Sequence, residues 1–204
     1  MRSLRTPASA PAMRSLRTPA SAPAMRSLRT PASAPAMRGP RMGYARQRHS
    51  GGPVPEPDHH YWMNRAIELS RRSPRAPGAF SVGAVLVADG AEIAIGYSRE
   101  TDPKVHAEES ALDKLDPHDP RLRQATLYST LEPCSERATK TRLPCTDRVL
   151  AAGIPVVVIA WREPSTFVEN CVGVEKLREH GVRVLELPDL AEAAMAVNRH
   201  LDLS

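Results

Sequence analysis

One histidine and two cysteines are the strongest candidates for chemistry in this chain of 204 residues. His106 opens a predicted helix, Cys134 follows a predicted strand, and Cys145 opens the next predicted helix eleven positions later. Imidazole nitrogen and thiolate sulfur suit tetrahedral zinc, and three protein ligands leave a fourth position open, as in catalytic zinc sites. Both cysteines lie at or just before a helix start, where unpaired backbone N–H groups favour a thiolate. The sequence therefore predicts a catalytic zinc site.

Alternating strands and helices must position these three residues. A helical stripe begins near His60, and residues 81–88 and 92–98 form two β-rich runs joined by an Asp89-Gly90 turn, which predicts a hairpin. The later elements are predicted as helices at 106–115, 145–152, 174–180 and 190–201, and strands at 125–131, 155–160 and 182–187. Helix and strand alternation after a hairpin predicts a mixed sheet covered on both faces. The expected fold class is α/β, a three-layer α/β/α sandwich with a five-stranded mixed sheet.

Charge is distributed unevenly along the chain. The whole chain carries a net charge of +5, yet residues 1–50 hold ten Arg and no acidic residue, which leaves 18 basic and 23 acidic residues, or −5, in the remainder. Residues 1–36 are three copies of MRSLRTPASAPA. With two Pro and one Leu in each repeat, the sequence predicts a disordered tail over residues 1–56 and a folded domain over residues 57–204. A nucleic-acid-binding arm and a transit peptide are alternatives to the dispensable extension that we favour.

Composition excludes several classes of protein. Three cysteines are too few, and odd in number, for a disulfide framework. No run of about 18 apolar residues is present, and the N-terminus lacks the apolar stretch of a secretory signal. Because the core-forming part is acidic, bulk charge does not argue for a nucleic-acid partner. We expect a cytoplasmic protein with no membrane partner.

The segments HAEESAL and TLEPCSERATKTRLPC resemble the motifs of the cytidine deaminase superfamily, a family of zinc enzymes with a His-x-Glu and Pro-Cys signature. The resemblance covers about residues 60–200. The long insert between the cysteines is most similar to the pyrimidine deaminases of riboflavin biosynthesis. Those enzymes carry Asn-Pro-Asn-Val-Gly in the first strand, where this chain has Ala-Phe-Ser-Val-Gly at residues 79–83. The asparagine contacts of that family to substrate are therefore absent.

The resemblance implies a role for each residue of the motifs. His106, Cys134 and Cys145 are the implied zinc ligands. Glu108 is the implied general base, which takes a proton from the attacking water, passes it to the ring nitrogen and helps protonate the departing amine. The alternative for Glu108 is a carboxylate that complements the helix dipole, which is how we interpret its neighbour Glu109.

The resemblance also predicts contacts to substrate. Backbone N–H groups at Ala107 and Ser135 correspond to those that hold the hydrolytic intermediate in the family. Lys140 and Arg142 lie in the insert between two predicted ligands, where they bind a substrate phosphate or belong to a solvated loop. We leave both interpretations open.

The predicted function is zinc-dependent hydrolytic deamination, in which an exocyclic amine of a pyrimidine-type nucleotide or related heterocycle becomes a carbonyl and ammonia is released. The riboflavin-pathway diaminopyrimidine phosphate is one candidate substrate. The alternatives are a cytidine or deoxycytidylate deaminase, a nucleic-acid base deaminase and a non-catalytic zinc module. We expect a small-molecule aminopyrimidine substrate and, from the resemblance, a homo-oligomer.

Overall fold

The computed structural model describes residues 57–137, 141–162 and 171–201, and five helices and five strands lie within these ranges. The predicted disordered tail and Lys140 lie outside them. In chain order the elements are α1 (His59–Ser70), β1 (Gly83–Ala88), β2 (Ala91–Tyr97), α2 (Ala107–Leu112), β3 (Thr126–Leu131), α3 (Cys145–Ala152), β4 (Val156–Trp161), α4 (Gly173–Glu179), β5 (Arg183–Glu186) and α5 (Ala191–Ala196).

The five strands form one mixed sheet in the order β2-β1-β3-β4-β5. β1 pairs antiparallel with both β2 and β3, whereas β3, β4 and β5 are parallel. Asp89 and Gly90 join β1 to β2 with φ angles of 52° and 70°, the left-handed conformation that a two-residue hairpin turn requires. The predicted α/β class and five-stranded mixed sheet are confirmed.

Helices cover both faces of the sheet, because successive strand residues point to opposite sides. Leu86, Leu127 and Ile159 contribute to one buried cluster, which also contains apolar residues of α2, α3 and α4. Val85 and Val158 face the other way, into a cluster with α1 and α5. The result is the three-layer sandwich, and α2 and α3 lie on the same side of the sheet.

Two predicted helices are shorter than expected. α2 ends at Leu112 rather than residue 115, and α5 ends at Ala196 rather than residue 201. After α5 the chain continues in tighter turns, with backbone bonds such as Asn198 N–H to the Met195 carbonyl. The Asn198 side chain pairs with both the N–H and the carbonyl of Ser81, at 2.7 and 3.2 Å. The turns that follow α5 are thus accompanied by a contact between Asn198 and Ser81, which are 117 residues apart in the sequence.

One glycine permits the close approach of α2 to the sheet. A Cβ atom at Gly96 on β2 would lie 2.2 Å from the Ala107 carbonyl oxygen and 2.5 Å from the Ala111 nitrogen. Such distances are far inside van der Waals contact, so α2 packs directly on the backbone of β2. Among the described helices, none has both the length and the apolar character needed to cross a bilayer.

Candidate metal centre and active site

The three predicted zinc ligands meet at one place. Their ligand atoms all lie within 4.8 Å of one another. His106 Nδ1 lies 3.6 Å from Cys134 Sγ and 3.5 Å from Cys145 Sγ. The structure therefore brings together residues that are separated by up to 39 positions in the chain.

Local structure explains this convergence. His106 is the residue that precedes α2, Cys134 follows the C-terminal end of β3, and Cys145 is the first residue of α3. The Thr146 N–H donates to the Cys134 carbonyl at 3.2 Å, and the Cys145 N–H lies 3.4 Å from Cys134 Sγ. N–H groups at a helix start have no partner within the helix, so they stabilise negative charge on the sulfur.

The two thiols differ in acidity. Hydrogen bonding from the Cys145 thiol and then the neighbouring His106 lowers the pKa of Cys134 to about 4. Sharing the same proton raises the pKa of Cys145, and burial raises it further. Burial lowers the pKa of His106, but the adjacent Cys134 thiolate more than offsets this and leaves it above its ordinary value. The thiolate form is therefore favoured at Cys134 over Cys145, and a bound cation would favour a thiolate at both.

Glu108 lies beside this group with its side chain buried. The Ser129 hydroxyl on β3 donates to Glu108 Oε1 at 2.8 Å, and the Cys145 sulfur lies 3.5 Å from Oε2. Burial raises the pKa of Glu108, because its ionised form loses solvation. A carboxyl group that readily holds a proton suits general acid and base chemistry. Sequence reasoning missed Ser129, although it is a lone polar residue on an apolar strand face.

A cavity of about 420 Å³ adjoins the cluster, and Glu108, His106 and Cys134 are among its lining residues. This volume lies in the range of pockets for small organic ligands. Three cations, Arg99, Lys104 and Arg137, line it as well, together with two further acids, Glu132 and Glu136. The structure thus places two of the three candidate ligands, His106 and Cys134, in the wall of a pocket of suitable size.

The wall of the cavity includes the segment in which this chain departs from the riboflavin deaminases. Ala79, Phe80 and Val82 line the pocket. Phe80 packs edge-to-face on Trp161, with ring centroids 5.4 Å apart. Apolar side chains therefore form this part of the wall.

The residues predicted to contact substrate are differently placed. Ala107 is fully buried at the start of α2, and the Ser135 hydroxyl accepts the Val172 N–H at 3.4 Å. Arg142 is not among the residues that line the described cavity, and its guanidinium donates to Glu109 at 3.2 Å and to Asp102 at 2.8 Å. Its role in holding phosphate stays a prediction. The prediction for Lys140 falls outside the described residues.

Comparisons with known proteins identify the family. Residues 56–161, about half of the chain, match the family described as the cytidine and deoxycytidylate deaminase zinc-binding region. The chain belongs to this family. Zinc is accordingly the metal of this deaminase domain, and one imidazole nitrogen with two sulfurs is a donor set that fits it.

Proteins similar to this chain carry names from riboflavin biosynthesis. The chain is 38% identical over 131 residues to the diaminohydroxyphosphoribosylamino-pyrimidine deaminase of Schizosaccharomyces pombe, an alignment that covers 63% of this chain and 32% of that protein. It is 40% identical over 125 residues to the riboflavin biosynthesis protein RibD of Aquifex aeolicus, covering 60% of this chain and 33% of the relative. The chain thus spans about a third of the length of these relatives.

Solved structures with similar names share the fold of the domain. A diaminohydroxyphosphoribosylaminopyrimidine deaminase and 5-amino-6-(5-phosphoribosylamino)uracil reductase of Thermotoga maritima matches with a TM-score of 0.57 and 38% identity, over 68% of this chain and 38% of that one. The Rib2 deaminase of Aspergillus oryzae, in a C-terminal deletion mutant, matches with a TM-score of 0.59 and 25% identity, over 68% and 89% of the two chains.

Proposed function

We propose that this protein is a zinc-dependent hydrolytic deaminase of a phosphorylated aminopyrimidine, with His106, Cys134 and Cys145 as the zinc ligands. The observation that carries the proposal is the buried Glu108 carboxyl group, which lies 3.5 Å from Cys145 Sγ and shares the wall of one cavity with His106 and Cys134. A structural zinc site normally has four protein ligands and needs no adjacent acid. The names of the relatives favour the riboflavin-pathway diaminopyrimidine phosphate as the substrate.

The reaction consumes one water, whose oxygen becomes the carbonyl oxygen, and breaks the bond between the ring carbon and its exocyclic amine, which leaves as ammonia. A zinc ion held by His106, Cys134 and Cys145 would lower the pKa of a water molecule and so make it a better nucleophile. Glu108 transfers one proton from the attacking water to the ring nitrogen, and then a second proton, from the newly formed hydroxyl group, to the leaving amine. The Ser129 hydroxyl donates a hydrogen bond to Oε1 of Glu108 and so orients the carboxyl group. Burial of Glu108 keeps solvent from competing for these protons.

The cations of the cavity favour an anionic substrate. Arg137 and Arg99 are already hydrogen-bonded, Arg137 to Glu109 and Arg99 to backbone carbonyls and a serine hydroxyl. The exposed Lys104 ammonium forms no ion pair within the described residues, so we infer that it binds the phosphate together with the predicted Lys140. A hydrogen bond to a charged group contributes roughly 1.5–3 kcal/mol, or about one to two orders of magnitude in kcat/KM.

Ammonia release tests the activity. The purified chain is incubated with the diaminopyrimidine phosphate, its dephosphorylated form, deoxycytidylate, cytidine, cytosine and guanine. We expect turnover of the first compound and a large loss when its phosphate is removed. Equal turnover of both forms would reject the phosphate site, and a zinc-loaded protein that releases no ammonia from any compound would favour the non-catalytic module.

Three variants test the phosphate contacts. Lys104→Ala, Lys140→Ala and Arg142→Ala are compared with Lys176→Ala, whose ammonium pairs with Asp147 outside the lining of the described cavity. A loss of kcat/KM on the phosphorylated substrate alone identifies a phosphate contact. A residue whose substitution matches the effect of Lys176→Ala makes no such contact.

Metal content tests the ligands. Elemental analysis of the purified chain is expected to give about one zinc per chain, because a single His/Cys/Cys group is proposed to bind it. Cys134→Ser and Cys145→Ser are expected to lose the metal. Unchanged zinc content in both variants would reject the ligand set.

We further propose that the protein works in the cytoplasm, where its two site thiols stay reduced, and that it forms a homo-oligomer. Light scattering on the eluate of a size-exclusion column tests the second point, and a mass equal to one chain would reject it.

A further inference from the structure

Glu109 is a buried carboxylate on which three arginines meet. Its Oε2 accepts from Arg137 at 2.8 Å, and its Oε1 accepts from Arg142 at 3.2 Å and from Arg148 at 3.1 Å. The backbone N–H of His106 also donates to Oε2, at 3.3 Å. The side chain of Glu109 is 4% exposed and that of Arg137 is 5% exposed. One carboxylate thus carries four hydrogen bonds in a buried setting.

Glu109 and its three arginine partners each lie three residues in sequence from a proposed metal ligand. Glu109 itself is three residues after His106. Arg137 is three residues after Cys134, and Arg142 and Arg148 lie three residues before and after Cys145. The chain on each side of the metal group is therefore tied to the same carboxylate.

Charge balance makes this arrangement sensitive to the loss of Glu109. Two of the arginines have a second carboxylate partner, since Arg142 pairs with Asp102 at 2.8 Å and Arg148 with Asp113 at 2.7 Å. Arg137 has no second ion pair among the described residues, and it donates its other hydrogen bond there to the Lys104 carbonyl at 2.6 Å. Removing the charge of Glu109 would leave Arg137 buried without a counter-charge, which is costly.

We propose that Glu109 is a positioning residue, which holds His106, Cys134 and Cys145 at the spacing that zinc requires through its bonds to the His106 backbone and to the three arginines. The hydrogen bonds of its carboxylate go to the His106 backbone and to the three arginines, so the carboxylate acts through the chain that carries the proposed ligands. The inference rests on the proposed zinc site, but it is independent of the identity of the substrate.

The expected effect is a loss of metal affinity. Outer partners that orient metal ligands typically contribute 10–100-fold in affinity or activity. Glu109→Gln keeps the size of the side chain and an acceptor for the His106 N–H, but it removes the charge that the arginines share. We expect this variant to bind zinc about 10–100-fold more weakly than the wild type.

The test measures zinc affinity by competition with a chelator, in the full chain, for the wild type, Glu109→Gln and Glu186→Gln. Glu186 is a matched control, because it also accepts from two arginines, Arg162 and Arg178, and lies on β5. The visible spectrum of the protein loaded with Co²⁺ reports ligand geometry independently of turnover. The melting temperatures of the metal-free and zinc-loaded forms of each protein are also measured.

A positioning role and a purely structural role give different results. If Glu109 positions the ligands, Glu109→Gln weakens zinc binding, alters the Co²⁺ spectrum and reduces the rise in melting temperature that zinc produces, whereas Glu186→Gln does none of these. If Glu109 is merely structural, both forms of the protein melt lower by the same amount and zinc affinity is unchanged, which overturns the proposal.

A second variant covers the case in which Glu109→Gln does not fold. Arg148→Gln removes one of the three arginine bonds, is not among the residues lining the described cavity and is expected to weaken zinc binding in the same direction. Wild-type affinity in this variant would then reject the proposal. If the wild type binds zinc and turns over substrate, and the zinc affinity of the variants is unchanged, this inference alone is refuted. If the wild type binds no zinc, the proposed function is refuted as well.

Discussion

Replacing Gly96 by alanine tests whether the fit of α2 against the sheet sets the geometry of the active site. The new Cβ atom would lie 2.2 Å from the Ala107 carbonyl oxygen, about 1 Å inside the closest distance that such atoms tolerate. α2 must therefore move away from β2 by about 1 Å, and it carries Glu108 and follows directly on His106.

Two magnitudes follow from this displacement. Overpacking of this kind costs about 1–3 kcal/mol of stability, which lowers the melting temperature by about 2–12 °C in a chain of this size. A misplacement of about 1 Å in a catalytic group can cost about 10²-fold in rate. We expect Gly96→Ala to lose about 10²-fold in kcat/KM and to bind zinc more weakly.

A second glycine provides the control. Gly83 is the first residue of β1 and packs against α1, where an added Cβ would lie 2.0 Å from the Ala66 carbonyl oxygen. α1 carries none of the proposed ligands. Gly83→Ala should therefore lower the melting temperature to a similar extent and leave zinc affinity within about threefold.

The assays are thermal unfolding, zinc competition and ammonia release on the same preparations. A destabilised Gly96→Ala protein with wild-type zinc affinity and turnover would refute the argument. Equal loss of zinc in Gly83→Ala would refute it too, because the loss would then follow from destabilisation in general.

Three further outcomes are expected. Glu108→Gln should retain zinc and fold but lose about 10²–10⁴-fold in kcat, as measured by elemental analysis and ammonia release, and wild-type turnover would contradict its role in proton transfer. Deletion of residues 1–50 should change the net charge from +5 to −5 and leave melting temperature and turnover unchanged, whereas a large fall in melting temperature would contradict the predicted tail. Arg162 holds the pKa of Glu186 below its ordinary value, so the stability that this pair contributes is present above about pH 4.3 and is lost as the pH falls through the lower folded-state pKa. Glu186→Gln should therefore flatten the acid limb of a plot of melting temperature against pH, and an unchanged acid limb would contradict this.

Local patterns were sufficient to predict most of the elements. The predicted helix at residues 145–152 matches α3 exactly in its bounds, because Gly153, with φ of 68°, ends it in the left-handed conformation. Strand positions follow from β-branched runs and were correct to within one or two residues. The ends of α2 and α5 were wrong, since they depend on turns and on the distant contact between Asn198 and Ser81.

The candidate site was predicted in the same way, because its chemistry is concentrated in two short motifs. His106 and Glu108 come from one motif, and both cysteines come from the other. Ligand types alone indicated zinc, and the family match confirms that metal. The hydrogen bonds of Glu109 to three arginines were not predicted, since a first-turn acid ordinarily interacts with the helix dipole and solvent.

Only the tertiary structure decided which side chains surround that site. Ser129 reaches Glu108 across 21 residues, and Arg137 reaches Glu109 across 28. Arg142 lies within the same insert as Arg137, yet Arg137 lines the described cavity and Arg142 does not. Such contacts depend on strand order and on the path of a loop, and neither is encoded in local periodicity. The sequence by itself determined most of the elements and the residue types of the candidate site, whereas packing of α2 and α3 on one face of the sheet determined the partners of each group.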